Sequence, residues 1–184
     1  VSSSEKEAVR YWSNNPVIRW NEIALEMAAK YNLIPGPNAD NTYTLPSPAN
    51  PDGPPPFPFA HPPYTCRMLA YLSVAQYDAL VVAWYYKFQY NRAAPFVYDT
   101  SIPSAYPINS LPSYPSHGAA IAKVSKEILL MMFPLEAGFL EEKYQEHLRS
   151  LIHAGINVSS DIDAGLDIAE QVINLARQRA SSDG

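Results

Sequence analysis

Three short segments of the sequence carry polar residues that a hydrophobic core does not need. The first, YYKFQYNRAAP, ends a long apolar stretch and offers Lys87 and Arg92. The second, PSYPSHGAA, places Ser116 and His117 where a proline-rich loop gives way to small apolar residues. If Ser116 caps a helix there, the free N–H groups and positive dipole end of that helix favour an oxyanion. The third, SLIHAGINVSSDIDAG, joins a helix end to a new helix start.

Composition restricts the class of protein. A length of 184 residues with 47% hydrophobic content predicts a single domain, 1–184, with one core. The net charge of −5, without a Lys/Arg cluster, predicts neither a nucleic-acid partner nor an anionic membrane surface. Cys66 is the single cysteine, which excludes an internal disulfide and a cysteine-based zinc cluster. The spacing of the four histidines indicates no metal site.

Two further features concern targeting. No stretch reaches the roughly 18 uninterrupted apolar residues of a membrane span. The first residues, VSSSEKEAV, do not read as a signal peptide, so we expect a leader to have been removed or never to have existed.

Helical periodicity predicts the elements that position the three segments. Asn15 is a good N-cap before Pro16 at a first helical position. Residues 66–88 are apolar nearly all round, which predicts a central helix surrounded by others, with Asp78 as a buried acceptor. A further helix is expected over Ser116–Met132.

The remaining chain continues this pattern. Pro134 opens a helix that is expected to break at Gly155, and Ser160 with Asp163 resembles a capping box at the start of the last helix. The passage 33–64 holds too many prolines for helix or central strand, and a second proline-rich passage covers residues 95–115. We therefore predict an all-α bundle of about five or six helices, with the long proline-rich loop 33–64 packed on it.

In order and spacing, the three segments resemble the superfamily of type 2 phosphatidic acid phosphatases, bacterial acid phosphatases and vanadium-dependent haloperoxidases. Its signature is Lys-x6-Arg-Pro, then Pro-Ser-Gly-His, then Ser-Arg-x5-His-x3-Asp. The resemblance covers nearly the whole chain, including residues 62–95 and the last helix, SDIDAGLDIAEQV. It implies a helical bundle, a phosphoester or small oxyanion such as phosphate or vanadate as ligand, and an extracytoplasmic bacterial location.

The resemblance assigns roles to several residues. Lys87 matches the lysine that contacts the oxyanion, and Ser116 matches the serine that bonds it. Asp161 matches the aspartate that orients the nucleophilic histidine. Together with backbone N–H groups near Gly118, Lys87 and Ser116 would form the anion-binding part of the site.

Other motif positions depart from the signature. The two arginine positions hold Ala94 and Leu151. The position of the acid–base histidine holds Gly118, and His117 stands in the glycine place. The position of the histidine that attacks phosphorus or ligates vanadium holds Asn157, whose amide can do neither.

These departures leave three hypotheses open. The leading one is a superfamily member with a degenerate oxyanion site that acts through binding or assembly. The alternative is an active hydrolase or peroxidase with a rearranged site, in which Lys87, Ser116 and His117 do the work. Arg92 and Arg149 each lie two residues from an arginine position of the signature, Ala94 and Leu151. They would either reach back into the pocket or form ion pairs outside it. The third is a structural partner domain or homo-oligomer, which would expose a large apolar patch.

Overall fold

The chain folds as an all-α bundle in a computed structural model that describes residues 1–32, 39–40, 60–102 and 111–183. That part of the chain contains no strand, which confirms the predicted fold class. None of its helices has the length and apolar character needed to cross a membrane. The helices are α1 (Ser3–Ser13), α2 (Pro16–Tyr31), α3 (Pro62–Tyr90), the short α4 (Pro95–Tyr98), α5 (His117–Met132), α6 (Ala137–His153) and α7 (Ser159–Ala180).

Most of the first proline-rich passage, at residues 33–38 and 41–59, lies outside the described residues, as do residues 103–110 of the second. The packing of the loop 33–64 on the bundle therefore stays a prediction.

The helix at the centre of the bundle is α5, not α3 as predicted. It packs against α2, α3, α6 and α7, and its side chains at Ile121, Val124 and Leu129 are fully buried. The buried side of α3 includes the small residues Ala75, Ala79 and Ala83 beside larger ones such as Met68 and Leu72, and the alanines allow α3 to approach its neighbours closely.

The opposite side of α3 is apolar and exposed. Val74, Tyr77, Val81, Tyr85 and Phe88, here called the α3 stripe, follow one another at helical spacing, and each is more than half exposed. The prediction that other helices surround α3 is therefore wrong. An apolar pattern on all sides of a helix does not reveal which side has a packing partner.

α3 buries two polar residues, Gln76 within the helix and Lys87 near its C-terminal end, whereas Asp78 is exposed, contrary to the prediction. The Gln76 amide accepts a hydrogen bond from Asn21 Nδ2 at 2.9 Å and donates one to Ser125 Oγ at 2.9 Å. This pair of bonds ties α3 to α2 and α5. An uncharged amide carries a much smaller desolvation cost than a carboxylate at such a site.

The helix ends follow local sequence signals, with one exception. Asn15 Oδ1 accepts the Val17 N–H, which confirms the predicted cap of α2. Gly155 has a φ of 70° just beyond α6, where the break was expected. The predicted Ser160–Asp163 pair is wrong, because α7 begins at Ser159 and Asp161 takes the third helical position. That carboxylate accepts the Val158 N–H at 2.9 Å.

The helix α1 was not predicted. Ser2 Oγ accepts the Glu5 N–H while the Glu5 carboxylate accepts the Ser2 N–H, the reciprocal arrangement of a capping box. α1 packs on α6 and delivers Trp12 to the core. The Ser-x-x-Glu spacing was the signal that could have located this helix start.

Candidate functional site

The three polar segments meet at one cavity of about 550 Å³ between the bundle and the loop that precedes α5. Residues far apart in sequence reach it from the C-terminal end of α3, the N-terminal end of α5 and the turn between α6 and α7. The motif positions that line it are Lys87, Ala94, His117, Gly118, Leu151 and Asn157. Ser116 and Asp161 are fully buried beside it and contact Asn157.

Lys87 is buried, and its ammonium group holds the loop before α5. Its Nζ donates to the carbonyl oxygens of Pro112 at 2.6 Å and Ser113 at 2.9 Å, and lies 5.7 Å from the centre of the Trp84 ring. Burial lowers the pKa of Lys87 to about 8, against a smaller opposing effect of the Asp161 carboxylate. Two of the three ammonium protons are therefore directed at protein carbonyls.

Ser116 is the N-cap of α5, as predicted. Its Oγ accepts the Ala119 N–H at 3.1 Å and donates to Asn157 Oδ1 at 3.0 Å. The hydroxyl proton is therefore already used within the protein. An oxyanion at this helix end would have to displace Asn157 to receive it.

Asn157, at the position where the resemblance implies a nucleophilic histidine, makes hydrogen bonds through both ends of its amide. Its Nδ2 donates to the Ser113 carbonyl at 3.0 Å and lies 3.4 Å from Asp161 Oδ2. Asp161 is also joined to α5 directly, because its carbonyl accepts the Ser116 N–H at 2.8 Å. The Asn157–Asp161 pair thus fixes the start of α7 against the start of α5.

The second carboxylate oxygen of Asp161 faces Arg92, whose Nη2 lies 3.3 Å from Oδ1 and 3.0 Å from Ser160 Oγ. Arg92 does not line the main cavity but a smaller pocket of about 290 Å³. Arg149 is exposed and lies with His153 in a separate pocket of about 140 Å³ between α1 and α6. The structure therefore brings Arg92 to the buried carboxylate and leaves Arg149 apart from the site.

Leu151 occupies the space above Gly118. A Cβ atom added to Gly118 would lie 2.8 Å from Leu151 Cδ2 and 3.2 Å from Cδ1. A histidine at residue 118 would therefore require Leu151 to move. Leu151 and Gly118, both departures from the signature, are therefore complementary, because the Leu151 side chain fills the space that a side chain at residue 118 would need.

Two histidines lie at the cavity wall. His117 is half-buried with its ring 5.3 Å from that of Trp84, and makes no hydrogen bond to a described residue. His147 is fully buried and stacked on Trp12 at 4.3 Å, and its Nδ1 accepts the Trp20 indole N–H at 3.1 Å. Its Nε2 has no partner among the described residues.

Both imidazoles are neutral near pH 7. Burial, and secondarily the Lys87 charge, lowers the pKa of His117 to about 3. Burial, and secondarily His117, lowers the pKa of His147 to about 3. His147 has no counterpart in the motifs, but it falls on the buried stripe of α6 with Leu140, Tyr144 and Leu151. That periodicity could have placed it inside the bundle.

Among the described residues that line the cavity, Lys87 is the single charged side chain. Bound phosphate or vanadate carries about two negative charges and is usually met by planar arginine forks. Asn157 cannot supply the imidazole nitrogen of a vanadium ligand, so vanadate does not fit this set of donors. No trio of histidine, cysteine or acidic side chains in the described ranges is arranged to hold a metal ion.

A comparison with models of known protein families finds no match to this chain, and a comparison with curated protein sequences finds none either.

Proposed function

We propose that this chain is a degenerate member of the phosphatidic acid phosphatase and vanadium haloperoxidase superfamily, and that it binds a ligand in its cavity without converting it. The observation that carries the proposal is the internal pairing of the polar motif residues. The Lys87 ammonium, the Ser116 hydroxyl and the Asn157 amide each donate hydrogen bonds to other atoms of the protein. These bonds therefore hold the end of α3 and the starts of α5 and α7 together.

The residue types at the motif positions also argue against catalysis. An amide nitrogen is a poor nucleophile because its lone pair is delocalised, so Asn157 cannot form a phosphoenzyme. The arginine positions hold Ala94 and Leu151. Of the described charged side chains, only the Lys87 ammonium group would therefore stabilise the charge that develops on a transferred phosphoryl group, and it already donates to two carbonyl oxygens. Loss of such groups typically costs orders of magnitude in rate.

The direct test is turnover. We expect no hydrolysis of p-nitrophenyl phosphate above buffer, and no bromide oxidation with vanadate and hydrogen peroxide, across pH 5 to 8. Turnover that disappears in both Lys87→Met and His117→Ala would overturn the proposal in favour of the active, rearranged site. Circular dichroism of each variant would show that a lost activity does not reflect a lost fold.

A second candidate function, assembly into a homodimer, is favoured by the α3 stripe. Together with Tyr86 and Tyr90 on its flank, it exposes on the order of 700 Å² of largely apolar surface, tyrosine hydroxyls included, at about 200 Å² for each aromatic side chain. A typical monomer shows a largest patch of about 300–600 Å², and a standard interface buries about 800 Å² per partner. We propose a second copy of this chain as the occupant, with the two α3 stripes packed together.

The oligomeric state tests this assignment. We expect a dimer in size-exclusion chromatography with light scattering, and a monomer for Val81→Glu, because a carboxylate at the centre of the stripe would be buried unpaired. Leu25→Glu, which changes an equally exposed residue on α2, is the matched control and should leave the dimer intact. A monomeric wild-type chain contradicts the assignment, whether residues 41–59 or solvent covers the stripe.

A further inference from the structure

The cavity has the size and walls of a small-molecule site. Its volume of about 550 Å³ falls within the range that usually holds such ligands. The walls are mainly apolar, with Trp84 the largest aromatic side chain. Other large apolar lining residues include Leu80, Phe96, Leu111, Ile121 and Leu151.

The polar groups of the cavity differ in whether they are free to meet a ligand. Lys87 and Asn157 are buried and bonded to the Ser113 carbonyl. His117 is half-buried, lies beside Trp84 and has both ring nitrogens without a partner among the described residues. A neutral imidazole presents one donor and one acceptor. His117 is thus the accessible imidazole of the cavity wall, whereas His147, whose Nε2 also lacks a partner among the described residues, is fully buried. Ser13 and the exposed Asn15 are further polar side chains of the lining, and each already makes a hydrogen bond at a helix end.

The surroundings of the cavity favour a neutral ligand over an anionic one. An anion buried among apolar walls needs paired, hydrogen-bonded partners to offset the loss of its hydration. The ammonium group that could pair with it is already bound to two carbonyls. The lowered pKa values of Lys87 and His117 come chiefly from burial, which marks surroundings that disfavour charge. A neutral ligand does not incur this cost.

We infer that the cavity binds a neutral aromatic molecule of about two fused rings with a single hydroxyl or N–H group. Its rings would lie against Trp84, and its polar group would hydrogen-bond with His117. This inference rests on the proposed function and names the ligand class of the same site. It differs from the oxyanion that the superfamily resemblance implies.

A matched set of probes tests the inference on the unmodified chain. We expect 2-naphthol to bind at least about tenfold more tightly than naphthalene-2-sulfonate, which has the same rings and an anionic group. Inorganic phosphate should show no saturable binding in the millimolar range. Isothermal titration and the fluorescence of the naphthyl group provide independent readouts.

A variant then tests the assigned contact. His117→Leu should weaken 2-naphthol about tenfold by removing one buried hydrogen bond, while leaving unsubstituted naphthalene nearly unchanged. His153→Leu makes the same change in the pocket between α1 and α6 and should affect neither probe. Because the comparison is between two probes on one variant, a general loss of stability would alter both.

The outcomes separate this inference from the proposed function. Tighter binding of the sulfonate or of phosphate, or no binding of 2-naphthol below about 1 mM, overturns the neutral-ligand inference even if turnover is absent. An equal loss of 2-naphthol and naphthalene affinity in His117→Leu overturns the His117 contact. Phosphoester turnover overturns the proposed function whatever the probe preference.

Discussion

Replacing Gly165 with alanine is expected to lower the free energy of unfolding by about 3 kcal/mol. A Cβ atom at this position in α7 would lie 2.3 Å from the Ser116 carbonyl oxygen and 3.1 Å from Ala119 Cβ. The nearest atom belongs to the backbone, so no side-chain rotation can relieve the clash. The helices α5 and α7 must separate, and the hydrogen bond from Ser116 N–H to the Asp161 carbonyl must lengthen.

The chain offers a matched control for this substitution. Gly138, near the start of α6, has no atom within 4 Å of an added Cβ. Gly138→Ala should be neutral or stabilise by up to about 1 kcal/mol through helix propensity. Urea denaturation followed by circular dichroism measures both variants. If both shift the free energy of unfolding alike, Gly165 does not have the close-packing role assigned here.

The helix ends that could be predicted from the sequence depend on interactions between residues close together in the chain. Caps such as Asn15 and Ser116 bond N–H groups only two or three residues away, so their positions can be read from neighbouring residue types. Gly155 acts in the same local way, by adopting a positive φ. The start of α1 had an equally local signal in Ser2 and Glu5.

Properties that depend on distant partners could not be predicted in this way. The α3 stripe and the buried side of α3 are both apolar, and the placement of α2, α5 and α7 distinguishes them. The choice of Gln76 rather than Asp78 as a buried polar residue depends on Asn21 and Ser125, which lie on other helices.

The same limit applies to the candidate site. The motif positions that the resemblance groups, such as Lys87, Gly118 and Asn157, line one cavity in the structure. Whether their polar atoms are free is a three-dimensional property, set here by the Ser113 carbonyl and by Leu151 above Gly118. The sequence therefore indicates which residues lie together better than it indicates which of their polar atoms are free.

Acidification is expected to destabilise the fold through the buried histidines. The folded-state pKa of His147 is lowered to about 3 from an ordinary value of 6.5, so the unfolded chain binds a proton more readily than the folded one between these values. Stability is therefore lost as pH falls below about 6.5 and continues to fall toward pH 3. At pH 5, His147 alone should cost about 2 kcal/mol, and the similarly lowered pKa of His117 acts in the same direction.

The structure gives this effect a specific cause. His147 Nδ1 accepts the Trp20 indole N–H, and the ring stacks on Trp12 without access to solvent. Protonation would turn Nδ1 into a second donor facing the Trp20 donor, and would place a charge in the core.

Urea denaturation at pH 7 and pH 5 tests the assignment to His147. We expect His147→Phe to be less stable than wild type at pH 7, because Trp20 loses its acceptor, yet to lose about 2 kcal/mol less between pH 7 and pH 5. Tyr144→Phe, a change at a buried residue of the same helix whose phenol pKa is raised above 10 chiefly by burial, removes no group that titrates between pH 5 and pH 7 and should keep the wild-type pH dependence. An unchanged difference between the two pH values in His147→Phe would mean that other groups control the acid response, since the buried imidazole is the titrating group that this variant removes.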